Sequence, residues 1–185
     1  LHHGFSLEHY AFPTIGVPSY KPIGPEIDAS ILYSIVRQES AFTAKTVSSA
    51  NAYGLMQVTA EAGRYIAKKF GVTFNRKRLL DDITYNVQMG AAELGDLIED
   101  YRGSYILTFA GYNAGRGRVR DWIARYGDPR NPNVDPVDWV EMIPFAETRN
   151  YVQRIMENMQ VYRARFGLTR QLKIEADLRR GMAAN

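Results

Sequence analysis

Apolar residues recur along most of this chain in steps of three and four, the period of a helix with one buried face, and rarely in the alternation of a strand. From Asp28 to Ser40 the residues Ile31, Leu32, Ile35 and Val36 form one such stripe, with Asp28 placed to cap the free N–H groups of the first turn. A second helix is expected over Thr59 to Phe70, stopping at Gly71. A third is expected over Ile83 to Tyr101, with Val87, Ala91, Leu94, Leu97 and Ile98 buried and Gly103 ending it. Ser104 reads as the cap of a short apolar helix, YILTFAGYNAG, that Gly115 and Gly117 break before another helix from Arg118 to Tyr126. Proline, glycine and asparagine make 127–136 a surface loop, and Phe145 to Phe166 reads as a long helix burying Tyr151, Val152, Ile155, Met159 and Tyr162. The fold class is therefore all-α, with no internal repeat.

The segments outside this pattern set the organisation. Residues 1–27 carry Pro13, Pro18, Pro22 and Pro25, which predicts an extended arm held by Phe5, Tyr10, Phe12 and Tyr20 rather than a helix. Residues 28–166 are expected to form one compact unit, and the charged tail 167–185 is not expected to fold. Residues 41–53 are small and polar, an ordered loop in which Asn51 and Gly54 are best suited to positive φ before Leu55, Met56 and Gln57.

Composition narrows the chemistry. The 185 residues contain no cysteine, which excludes disulfides, thiol nucleophiles and thiolate metal sites. His2, His3 and His9 all lie in the arm, so a histidine relay or histidine metal site is not expected, and carboxylates must carry any acid–base work. No apolar run approaches the roughly 20 residues that cross a bilayer. The chain starts at Leu1, suggesting a processed or shortened sequence, and the product reads as soluble. A net charge of +3 and a pI near 9.1 suit an anionic polymer or surface, but the excess is too small to indicate nucleic acid.

One acid interrupts the apolar pattern. Glu39 stands four residues after Ile35, three after Val36 and seven after Leu32, so it projects from the stripe. A carboxyl there loses water, which raises its pKa toward the range useful for proton transfer. The bland alternative is a structural carboxylate at the open end of the helix, with water or a cation beside it.

Four groupings occur in order: Glu39-Ser40, Gly54-Leu55-Met56-Gln57, Tyr112-Asn113-Ala114-Gly115, and Ile143-Pro144-Phe145-Ala146-Glu147-Thr148-Arg149 with Tyr151-Val152. Together, over residues 26–166, they resemble the soluble lytic transglycosylase family, whose core is shared with goose-type lysozymes. The resemblance implies a lysozyme-like helical domain with at most short strand elements. It implies cleavage of the β-1,4 bond between N-acetylmuramic acid and N-acetylglucosamine in peptidoglycan, leaving a 1,6-anhydromuramic end. It makes Glu39 the sole acid/base, with the substrate's acetamido group in place of a second carboxylate. Ser48, Gln57, Tyr112 and Asn113 match groove residues, Glu147 matches a second groove carboxylate, and Tyr112 is placed to donate to Glu39. No metal and no cofactor is implied. The partner is peptidoglycan glycan strands, with no nucleic acid and no membrane span, in the periplasm or cell envelope; a preceding helical domain in a longer parent chain is left open.

Each groove residue also has a plainer reading. Tyr112 could be a core tyrosine, Asn113 a helix end, Ser48 a turn hydroxyl and Gln57 a partner for loop backbone. Glu147 could pair with Arg149 or Arg154, and Met56, Trp122 and Trp139 read as packing rather than sugar platforms. The sequence departs from the family pattern at Asn51, where glycine is usual, and at Gly111, where alanine is usual. It departs again at Ala60 and Ala62, which replace proline and threonine. The rival readings are a goose-type hydrolase, in which water attacks instead of the C6 hydroxyl, and a non-catalytic glycan-binding module.

Overall fold

The structure, a computed structural model, describes residues 8–182; His2, His3 and Phe5 lie outside them. In chain order the elements are α1 (Glu8–Ala11), α2 (Ala29–Ser40), β1 (Ala52–Tyr53), β2 (Val58–Thr59), α3 (Ala60–Lys69), α4 (Arg78–Asp81) and α5 (Ile83–Asp100). They continue with α6 (Tyr105–Ala114), α7 (Arg116–Tyr126), α8 (Pro136–Glu141), α9 (Ala146–Arg165) and α10 (Ile174–Leu178). The two strands form one short antiparallel ladder pairing Ala52 with Thr59 and Tyr53 with Val58. The fold is accordingly helical, with one minor hairpin beside the site.

The apolar stripes build the core as their spacing requires. Ile35 and Val36 of α2 are wholly buried, as are Val87, Leu94 and Leu97 of α5 and Ile155 and Met159 of α9. Burial of each such side chain is worth about 1.5–3 kcal/mol. The most extensive helix pair is α2 with α9, and α9 also packs on α6, which in turn packs on α5 and α7. The core therefore fixes the end of α2, the end of α6 and the start of α9 relative to one another. Asp28 caps α2 by accepting from the Ser30 N–H at 2.7 Å, and Thr59 caps α3 by accepting from Ala62 at 3.1 Å.

Several expectations are corrected by short elements. The arm contains the one-turn helix α1 ahead of Pro13, and Tyr10 is exposed rather than anchoring, whereas Phe12 packs edge-on against Tyr162 with centroids 5.5 Å apart. Helix α7 begins at Arg116, so Gly117 lies inside it. Ser104 stands at the N-cap of α6, but its side chain makes no capping bond. Within the expected loop Asp135 caps α8, with Pro136 in its first turn. The tail folds as well: Asp177 of α10 is buried against Arg163, whose Nη2 donates to its Oδ1 at 3.0 Å, and Gln160, which donates at 2.8 Å. These are pairings across chain distance, invisible to local periodicity.

Candidate active site

The site is assembled where α2 ends. Ala41 turns the chain out of α2 at φ 47°, and Ser40 donates to the Leu55 carbonyl at 2.8 Å, tying the helix end to the loop 54–57. That loop needs unusual backbone: Asn51, Gly54 and Gln57 all have positive φ, as foreseen for the first two. At Gly54 any Cβ would stand 2.5 Å from Asn86 Nδ2 and 2.6 Å from the Leu79 carbonyl oxygen, so only glycine fits. Buried Asn86 of α5 ties the loop and the strand before it to α4. Its Oδ1 accepts from the Met56 N–H at 2.9 Å, and its Nδ2 donates to the carbonyls of Tyr53 at 2.7 Å and Leu79 at 2.9 Å.

Glu39 is half-buried near the C-terminal end of α2, with packed protein around its carboxyl group. The hydroxyl of Tyr151, a buried residue of α9, donates to Glu39 Oε1 at 2.6 Å. Burial raises the Glu39 pKa to about 7; the Tyr151 bond works against that rise, and the charge of Glu147 adds to it. The expected elevation is present with its expected cause, but the donor differs. Tyr112 instead donates to the Met56 carbonyl at 2.8 Å, because α6 brings its hydroxyl over the loop rather than over the acid. Burial, then the charges of Glu93 and Glu39, raise the Tyr112 pKa well above its ordinary 10, so it stays a phenol and a donor.

The other candidate residues surround this acid in different ways. Gln57, Tyr112 and Asn113 line a cleft of about 490 Å³, together with Tyr65, Glu93 and Arg116. Glu39 adjoins the cleft rather than lining it, close enough for its charge to raise the pKa of Glu93 and Tyr112. Gln57 donates to the Gly54 carbonyl at 2.8 Å, so it braces the loop as well as facing the cleft. Asn113 accepts from Thr148 at 2.6 Å, which links the last turn of α6 to the first turn of α9. Ser48 lies outside the cleft lining and makes a turn contact, its hydroxyl accepting from the Ala52 N–H at 3.1 Å. Glu147 is exposed in the first turn of α9. It does not take up the foreseen arginine pairings, since Arg149 donates to the Ile143 carbonyl at 2.5 Å and Arg154 to Glu157 at 3.0 Å.

Met56, Trp122 and Trp139 are buried packing residues, and Trp139 spends its indole N–H on the Gly127 carbonyl at 2.9 Å. Gly111 has a local reason: a Cβ there would meet the Tyr101 ring at 3.0 Å, so the glycine makes room for that tyrosine. Two residues of the site were given no site role from the sequence. Tyr151 follows the core period of α9 and looks like any packing tyrosine. Glu93 does carry a signal, since it stands four residues after Met89 and four before Leu97 on a buried face, as Glu39 does on α2. Among the described residues no cluster of histidine, cysteine, aspartate or glutamate has the arrangement of a metal site.

A family model described as "Transglycosylase SLT domain" matches residues 21–134, and one described as "Soluble lytic transglycosylase helical domain" matches residues 142–171. The soluble lytic murein transglycosylase of Escherichia coli is 36% identical over 142 residues, covering 76% of this chain and 21% of that protein. Membrane-bound lytic murein transglycosylase C of Glaesserella parasuis is 32% identical over 154 residues, covering 74% of this chain and 42% of that one. Among solved structures, the 70 kDa soluble lytic transglycosylase of Escherichia coli superimposes with a TM-score of 0.71 at 35% identity, covering 77% of this chain and 23% of that one. Its complex with bulgecin A gives 0.73, covering 80% and 24%. The chain thus spans about a fifth of the length of the soluble relative it matches.

Proposed function

Because the chain belongs to the transglycosylase SLT domain family, we propose that it cleaves the β-1,4 bond between N-acetylmuramic acid and N-acetylglucosamine in peptidoglycan, closing the C6 hydroxyl onto C1 to leave a 1,6-anhydro end. The observation that carries this reading is Glu39: a carboxyl held by one tyrosine hydroxyl, raised by burial to about 7, beside a cleft lined by amide and hydroxyl groups. Near neutral pH such a group is available in both forms, as a general acid and then a general base.

In this reading Glu39 protonates the glycosidic oxygen while the substrate's own acetamido group stabilises the sugar cation. The resulting carboxylate then takes the C6 hydroxyl proton as that oxygen attacks C1. Tyr151 supports the charged form between the two steps by donating to Oε1. Gln57 and Asn113 bind acetamido and hydroxyl groups along the cleft, and Tyr112 shapes its wall. Ser48 and Glu147, which do not line the cleft, complete the proposed set of glycan contacts. The chain acts in the bacterial envelope, as the murein-directed names of its soluble and membrane-bound relatives suggest. The division into an arm at 1–27, a catalytic unit at 28–166 and a tail at 167–185 belongs to the same proposal.

Mass analysis of products from purified wall tests it. Anhydro-ended products are expected. Reducing ends would make the chain a hydrolase with water as attacker, and bound but uncleaved wall would make it a binding module.

A further inference from the structure

Three carboxylates on α5 stand at steps of three and four, at positions 93, 96 and 100. Two are neutralised. Asp96, with no exposed surface, is paired with both Lys69 and Arg116, and Asp100 accepts from Arg116 Nε at 3.1 Å with Lys69 Nζ 3.9 Å away. Glu93 is left out of this network. It is half-buried, lines the cleft beside Gln57, Tyr112 and Asn113, and its carboxyl has no hydrogen-bond partner among the described residues. The two cations nearest the stripe are already committed to the other two acids.

A polar group removed from water without a partner is costly, so a half-buried carboxyl aimed into an open cleft is completed by something that enters the cleft. We infer that Glu93 contacts the glycan, holding a saccharide hydroxyl or acetamido N–H in the cleft that Gln57 and Asn113 also line. The inference rests on the glycan-cleaving reading of this site. Burial, reinforced by the charges of Glu39 and Asp96 and opposed by Arg116, raises the Glu93 pKa to about 7. In its protonated form the carboxyl both donates and accepts, which suits a sugar group that does the same.

Binding of soluble glycan strands, prepared from purified wall, is measured by calorimetry with the Glu39→Gln protein as parent. Adding Glu93→Ala is expected to weaken binding about tenfold, the loss of one hydrogen bond involving a carboxyl. Adding Glu93→Gln, which keeps shape and hydrogen-bonding atoms, is expected to weaken it about threefold. The near-isosteric amide carries the test if the alanine variant fails to fold. Dissociation constants within twofold of the parent in the folded variants would remove Glu93 from the cleft's binding surface while leaving the glycan reading intact. A parent that binds no glycan, together with a wild-type chain that yields no product, would overturn both.

Discussion

Glu39 and Asp96 are both acids that helix periodicity directs toward the protein interior, and the structure treats them in opposite ways. Asp96 loses all contact with water but receives two cations, Lys69 and Arg116. Glu39 keeps some exposure and receives only a neutral phenol, that of Tyr151 at 2.6 Å. A buried carboxylate between two cations ties α3, α5 and α7 together. One without a cation is left near the balance between its two forms. The two environments separate an acid that builds the fold from one suited to chemistry.

The largest expected effect is on turnover. Glu39→Gln should lower cleavage of glycan strands at least ~100-fold, because the amide retains shape but has no transferable proton. Its midpoint of urea unfolding should hold or rise, since an uncompensated carboxyl is removed and the amide oxygen still accepts from Tyr151. Asp96→Asn should do the reverse and destabilise the fold. Severing a fully enclosed ion pair costs about 3–5 kcal/mol. Here Lys69 and Arg116 keep 39% and 33% of their side-chain surface in water, so the loss should be nearer ~2 kcal/mol. It is read as a lower urea midpoint at unchanged slope. If Glu39→Gln proved the more destabilising of the two, Glu39 would be the structural acid.

This contrast was half legible in the sequence. Glu39 stood out because the residues around it on α2 are apolar, and the long helices followed from their buried faces, with α3 and α5 ending two and three residues before their glycines. What periodicity could not supply was partners. Nothing in the spacing of α5 distinguishes Asp96, which pairs with Lys69 and Arg116, from Glu93, which forms an ion pair with neither. The tyrosine that holds Glu39 lies 112 positions away on α9, and its core spacing masked it, while Tyr112 was drawn to the Met56 carbonyl. The helices left out, α1, α4, α8 and α10, are only four to six residues long, too short for a buried face to repeat. Among them α8 starts on the Asp135 cap, and α10 is held by the pair of Asp177 with Arg163.

The smallest effect gives the sharpest view of how Glu39 is tuned, because two neighbours displace its titration in opposite directions. Tyr151 donates to the carboxylate and favours the charged form, so Tyr151→Phe should raise the Glu39 pKa above its present value of about 7. Loss of activity on the alkaline side, where the acid deprotonates, then moves to higher pH. Glu147 repels the carboxylate, so Glu147→Gln should lower the Glu39 pKa and move the same limb to lower pH. The charge of Glu39 also acts on Glu93, so the informative quantity is the displacement between variants rather than the absolute midpoint. Salt separates the two causes. Glu147 is exposed, and its influence should fade as the screening length falls from about 30 Å at 0.01 M to about 3 Å at 1 M. The Tyr151 bond is buried and should act equally at both. Profiles of kcat/KM against pH at the two salt concentrations read this directly. A Tyr151→Phe limb that stayed in place, or moved to lower pH, would mean that the hydroxyl does not set the protonation of Glu39.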